Sequence, residues 1–246
     1  MTADDFGLSA GINQGILEAH RRGIVTSTSL MINAPGAAEA ARLAQECPTL
    51  SVGLHLVLTF GRPLAPLDEV GALLTPKGTF PRLDSGAQQN APRSAIRAEL
   101  EAQIRRFRQT VGGPPAHLDG HHHVHALPTV LEVAIESARE LSIPVRSPDA
   151  ATAERLLSAG VKTTGAFIDR FYGAENIDLP SLLEILGSLE EGLSELMCHP
   201  AKEDPALSAI SSYCRERPME LAALTAPEAR EAIERLGIQL IASSSL

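Results

Sequence analysis

Between His117 and His125 the chain reads His-Leu-Asp-Gly-His-His-His-Val-His, so five of its eight histidines and one aspartate fall in a single short stretch. Neutral imidazole is the commonest protein ligand for a divalent metal, and a carboxylate beside it supplies the oxygen donor such sites often add. A surface polyhistidine run would look similar, but an expression tag sits at a terminus, not between a strand and a helix. Gly112-Gly113-Pro114-Pro115 precedes the stretch and Leu127-Pro128 follows it, so a strand is expected to run out into a loop just before a helix. In extended backbone, alternation puts His117, Asp119 and His121 on one face and turns His122 away. If the chain turns helical after Gly120, His121 and His125 become neighbours instead. Spacing alone leaves His121, His123 and His125 all open as ligands. It leaves Asp119 open as a ligand or as the group that holds an imidazole ring in place.

Three other places carry side chains of the same kind. Adjacent Asp4 and Asp5 point in different directions if the backbone is extended, so one can ligate a metal while the other stands beside a water as a base. The competing reading is an acidic pair favoured by the dipole of a helix that Ser9 caps. His55 lies in the apolar run Val52 to Leu58. A lone histidine there is more often a hydrogen-bonded core residue, and a metal cluster elsewhere reverses that balance. His199 closes the segment Leu193 to His199, just before Pro200. His20 reads as a solvated residue near a helix C-terminus.

The elements that must position these residues follow from periodicity. Helices are expected over Ala10 to Arg22, 37 to 46, Arg93 to Thr110, Pro128 to Leu141, Ala151 to Ala159, Leu179 to Leu189, Pro218 to Leu224 and Pro227 to Leu236. In the third of these, Ile96, Leu100, Ile104 and Phe107 mark the buried stripe. Strands are expected over Ile24 to Ala34, Leu50 to Thr59, the histidine stretch, Pro144 to Ser147, Thr164 to Ile168, Leu193 to His199 and Ile238 to Ala242. The proline- and glycine-studded segment Phe60 to Pro92 is long enough to be a lid or a wall of a binding site. Strand and helix alternate without a linker or repeat, which predicts an α/β fold: one (β/α) barrel of seven or eight parallel strands over residues 1–246. Active sites of such barrels gather at the carboxyl ends of the strands, where Asp4, Asp5, His121 and His199 all fall and where His55 points from within its strand.

Composition narrows the function classes. Hydrophobic residues make up 44% and charged residues 21% of the 246, and the formal net charge is −9. That balance suits a globular protein with an ample core and argues against nucleic acid as a partner. Three widely spaced cysteines, Cys47, Cys198 and Cys214, read as buried or free thiols of a reducing compartment. No run is apolar enough for a membrane span and no signal peptide is visible, so the expected location is cytoplasmic. The sequence leaves a homodimer open.

Several separate motifs, in order along nearly the whole chain, resemble the YdjC-like carbohydrate deacetylases. They are Thr2-Ala-Asp-Asp-Phe-Gly-Leu-Ser9, Gly23-Ile-Val-Thr-Ser-Thr-Ser29, Gly53-Leu-His-Leu-Val-Leu-Thr59, the His117 to His125 stretch, Phe171-Tyr-Gly173 and Glu195-Leu-Met-Cys-His-Pro200. The resemblance is nearest to the chitooligosaccharide (diacetylchitobiose) branch. It implies a distorted (β/α) barrel, a divalent metal such as magnesium or zinc, and removal of an N-acetyl group from an amino sugar or short chitooligosaccharide. It assigns the metal to Asp5, His55 and His121, the general base to Asp4, and leaving-group protonation or oxyanion stabilisation to His199. One carboxylate and two imidazoles leave coordination positions open, as a catalytic site requires. Arg146 is a candidate to hold substrate or to hydrogen-bond a carboxylate, and Asp119, His123 and His125 are candidates for substrate binding or ligand support. Related sequences carry a longer apolar strand before the Asp-Asp pair, where this chain has Met1-Thr2-Ala3, so either the start of the chain is misassigned or the first strand is stunted. Two other functions use the same residues: a non-haem iron oxygenase, since two histidines and a carboxylate also bind iron, and a metal-dependent sugar-binding protein with lost catalysis. No Trp, two Tyr and six Phe give few stacking surfaces, which weakens a lectin and favours a short substrate.

Overall fold

A computed structural model describes residues 1–246. In chain order its main elements are β1 (Thr2–Phe6), α1 (Ala10–Arg22), β2 (Ser27–Leu30), α2 (Ala37–Gln45), β3 (Ser51–Leu56), the short turns α3 (Leu67–Val70) and α4 (Ala87–Asn90), α5 (Arg93–Val111) and β4 (Leu118–Gly120). They continue with α6 (Pro128–Leu141), α7 (Ala150–Ser158), β5 (Ala166–Ile168), α8 (Leu179–Gly187), β6 (Ser194–Cys198), α9 (Arg217–Thr225) and α10 (Pro227–Arg235). Local chemistry sets the helix starts. Ser9, Asp149 and Asp178 each accept a hydrogen bond from a backbone N–H of the first turn of α1, α7 and α8, which satisfies a donor the helix cannot. Ile96, Leu100, Ile104 and Phe107 are buried on α5, so its apolar stripe faces inward while its arginines stay outside or half-buried and Glu99 alone of its charges is buried.

The six strands are parallel and lie in the order β4-β3-β2-β1-β6-β5. Val145 bridges Leu118 of β4 on one side and Thr163 on the other, and Thr163 leads directly into β5. Those single bridges bring the two ends of the sheet together into a distorted (β/α) barrel. β1 has five residues and pairs with both β2 and β6. Fifty-nine buried apolar residues form one contiguous core, and no helix is long and apolar enough to cross a membrane.

Two expected strands are absent, and the total of seven or eight falls to six. Residues 144 to 147 contribute only the bridge at Val145, because Pro144 has no N–H for the ladder and Pro148 ends the segment. Residues 238 to 242 form no strand, and Gln239 and Leu240 are exposed. The turn that follows instead caps the amino ends of β2 and β3, where Ser243 and Ser244 donate backbone N–H groups to the hydroxyls of Ser27 and Ser51.

Candidate active site

Extended backbone would send adjacent Asp4 and Asp5 to opposite faces of the sheet, but the strand does not stay extended at Asp5, and both side chains line one cavity. Asp5 has φ 68°, and the β1–β2 register shifts between Ala3 and Phe6. Such a bulge re-aims a side chain at some cost in backbone strain, a cost that Asp bears better than most residues. Gly7 follows with φ 91°, and a Cβ there would press on Leu30 and Ala37, so the turn needs glycine. Each aspartate is 2% exposed, and each meets an arginine. Asp4 receives a two-pronged bond from Arg146, at 2.6 Å and 2.8 Å, and Asp5 Oδ2 accepts from Arg217 Nη2 at 2.5 Å. Burial alone would raise the Asp5 carboxyl, but Arg217 and His121 hold it well below the usual carboxylate range.

Asp5 Oδ1 is the telling atom. It is buried and has no hydrogen-bond partner, yet His121 Nδ1 lies 3.0 Å away and His55 Nε2 3.6 Å away. The ligand atoms of Asp5, His55 and His121 all fall within 4.8 Å of one another. An orphaned carboxylate oxygen facing two imidazole nitrogens is a donor set that fits a divalent cation with positions to spare. A second trio, Asp4, His55 and Asp119, is as tight, but Arg146 takes both Asp4 oxygens and His55 Nδ1 donates to Asp119 Oδ1 at 2.7 Å. Its donors are spent, so the first trio is the better cation site.

Asp119 therefore stands behind His55, where it fixes the ring and leaves Nε2 to face Asp5. Burial by itself would lower His55, but the carboxylates of Asp119, Asp4 and Asp5 outweigh it and raise the ring to about 9. A cation binding there has to displace a proton. Behind Asp119, Ser29 donates to its Oδ2 at 2.6 Å and accepts from His117 Nε2 at 2.9 Å. A Cβ on Gly53 would strike the His117 ring, which accounts for the glycine in that motif. His117 and Asp119 thus share a face, as alternation predicts, but His121 no longer follows the strand. The chain turns at His122 and His123, both left-handed (φ 57° and 54°), and His121, His122 and His123 all line the cavity. The turn is not α-helical, and His125 swings out of the cavity wall: its Nε2 donates to the Arg146 carbonyl at 3.1 Å.

Arg146 is fully buried and outside the cavity wall. It serves carboxylates rather than a bound molecule, reaching Asp119 and Glu195 as well as Asp4. Glu195 is buried, but the Arg146 charge brings it down to about 2. His199 lines the same cavity, and burial pushes its ring down to about 4 despite the attraction of Asp5. His20 is not merely solvated, since its two ring nitrogens join the Val25 carbonyl and the Thr49 hydroxyl, both at 2.8 Å. Sequence reasoning misses Arg217, Glu195, Glu220 and Tyr213 as members of the site. Arg217 begins a helix and precedes a proline, a position with no chemical signature. Glu195 alone carries a signal, as a charge within the apolar strand β6.

The cavity holds about 770 Å³ and opens over Asp4, Asp5, His55, His121 and His199. The segment Phe60 to Pro92 supplies Phe60, Arg82, Leu83 and Asp84 to its wall. Glu99 of α5 holds the start of that segment by accepting from the backbone N–H groups of Leu64 and Ala65, and Gln88 donates to the carbonyls of Leu58 and Pro81.

The chain is 43% identical over 242 residues to a carbohydrate deacetylase of Geobacillus stearothermophilus, covering 98% of this chain and 94% of that one. It is 41% identical to a chitooligosaccharide deacetylase of Proteus mirabilis, with 98% and 95% covered. A crystal structure from Enterococcus faecalis V583, named for cellobiose-phosphate cleavage, superposes with TM-score 0.92 at 36% identity, covering 99% of this chain and 96% of that one. A family model described as YdjC-like protein matches residues 1–235, and this chain belongs to that family.

Proposed function

We propose that this protein is a metal-dependent carbohydrate deacetylase that hydrolyses the N-acetyl group of an amino sugar or short chitooligosaccharide. One observation carries the reading: the partnerless Asp5 Oδ1 faces His55 and His121 inside a cavity that Asp4 also lines. Relatives named as carbohydrate and chitooligosaccharide deacetylases over almost the full chain support it. Asp5, His55 and His121 would hold the cation, magnesium or zinc. When bound, a divalent ion there supplies Lewis acidity, polarising an acetamide carbonyl and lowering the pKa of water.

The remaining steps belong to the protein. Asp4 takes the proton of the attacking water, and the Arg146 fork keeps its carboxylate aimed. Arg217 Nη1 is buried without a partner and its residue lines the cavity, so it donates to the acetyl oxygen and then to the released acetate. His199, held neutral at rest, donates a hydrogen bond to the charge that develops on that oxygen. The departing nitrogen receives the proton that Asp4 accepted. The test is acetate release from N,N′-diacetylchitobiose by metal-stripped protein supplied in turn with Mg, Zn, Co and Mn. Acetate with at least one ion and none with chelator is expected. Oxygen consumption with a cosubstrate, and no acetate, would establish an iron oxygenase instead.

A further inference from the structure

The chain has two tyrosines and no tryptophan, and both tyrosines line the cavity. Their rings stack at 4.4 Å between centroids and 12° between planes. Tyr213 is locked from several sides. Its hydroxyl donates to Glu220 Oε1 at 2.5 Å and accepts from Gly173 N at 3.3 Å, and the Arg217 guanidinium lies 5.5 Å from its ring centre. Tyr172 is held on it by its neighbours in sequence, because Phe171 is fully buried and Gly173 turns the chain with φ 83°. Yet Tyr172 itself stays 47% exposed. Here the chain fixes an aromatic ring and leaves it open to the cavity.

Its position relative to the reacting groups gives the ring a purpose. His199 meets Tyr172 and Tyr213 edge-on, at 5.5 Å and 5.6 Å, so the stack borders the histidine that faces the scissile group. We infer that Tyr172 is the stacking platform for the pyranose ring that carries the acetamide. This inference rests on the deacetylase reading. A pyranose has one face of C–H bonds and a rim of hydroxyls. The face suits a rigid tyrosine, and the rim suits the aspartates, histidines and arginines that line the rest of the cavity.

The test uses full-length, metal-loaded protein with Tyr172→Ala, Tyr172→Leu and Tyr172→Phe. Stacking is equal in ground and transition state, so it appears in KM and spares kcat. Ala and Leu are expected to raise KM about tenfold for both N-acetylglucosamine and N,N′-diacetylchitobiose, while Phe restores it. Tyrosine emission reports on this stack alone and needs no turnover. Adding N-acetylglucosamine should change it saturably, at about tenfold higher sugar in Tyr172→Leu. Acetate release with an unchanged KM in Tyr172→Ala overturns the platform and leaves the deacetylase reading standing. No acetate release, with an emission response that Tyr172→Leu weakens, does the reverse. A rise in KM confined to the disaccharide puts the contact on the neighbouring ring and overturns the assignment made here. Silence in both measurements removes both.

Discussion

Asp4 and Asp5 are chain neighbours, equally buried, and each bound by an arginine, but the two sides of the site they build are opposites. On the Asp4 side the guanidinium of Arg146 is enclosed by Asp4, Asp119 and Glu195, and Thr164 and Ser29 bond the outer carboxylates. On the Asp5 side Arg217 satisfies one oxygen, leaves the other bare, and keeps an unpaired nitrogen of its own. One side is a closed ionic cluster. The other is an array of unmet bonds at a cavity. The bulge at Asp5 makes the difference, since continued alternation would have sent the second carboxylate away from the first. A fold can thus obtain two roles from one residue type by spending strain on a single backbone angle.

Exchanging the two carboxylates' losses is the hardest test of that contrast and carries the largest expected effect. Asp5→Ala should abolish bound metal and, with it, acetate release. Asp4→Asn should keep the metal and lower turnover by about a thousandfold, within the range for loss of a general base. Metal content by plasma emission spectroscopy, read beside acetate release, separates them. Metal lost from Asp4→Asn and retained by Asp5→Ala would mean that the roles are reversed.

Removing each arginine in turn probes the same contrast through stability. Arg146→Met keeps the volume but strands three buried carboxylates, and should cost about 3–5 kcal/mol in urea denaturation. Arg217→Met strands only Asp5, on a wall that water reaches, so its loss should be smaller. Equal losses would show that the Asp5 side is as closed as the Asp4 side.

Much of this is legible in the residues, and what is not has a common cause. The stripe on α5, the Ser9 cap and helix α6 from Pro128 to Leu141 follow from local spacing, which is all that a helix needs. A meeting of Asp5, His55 and the histidine stretch is within reach because each lies at or near the carboxyl end of an expected strand, and a parallel barrel brings such ends together; that His121 rather than His123 or His125 completes the trio follows only from the family resemblance. The part played by Asp119 is half legible: its face follows from alternation, but its partner does not. Arg146 could be read as a carboxylate's partner without the sequence saying whose. Arg217, Glu195 and Glu220 take their meaning from groups more than twenty residues away, and no spacing rule reports those. The missing strand at 238 to 242 fails for the same reason, since pairing depends on a free edge that only the assembled sheet reveals.

Glu220 offers the finest measure of what the arginines do, because it is a buried carboxylate beside the site and no guanidinium is bonded to it. Its oxygens accept instead from the His199 backbone N–H and the Tyr213 hydroxyl, and burial raises it from its ordinary 4.5 to about 7. The native state therefore binds a proton more tightly than the unfolded chain. The stability this gives is whole below about pH 4.5 and is lost as pH rises through about 7. Between about pH 5 and pH 8 the loss should be on the order of 2–3 kcal/mol. Glu220→Gln keeps the size, with an acceptor for His199 N–H and a donor for the Tyr213 oxygen, but cannot ionise. Urea denaturation at the two pH values should show the variant losing less stability than the parent across that interval, by about that amount. If parent and variant fall together, Glu220 is compensated like its two neighbours, and the distinction between arginine-bound and arginine-free carboxylates has no energetic content.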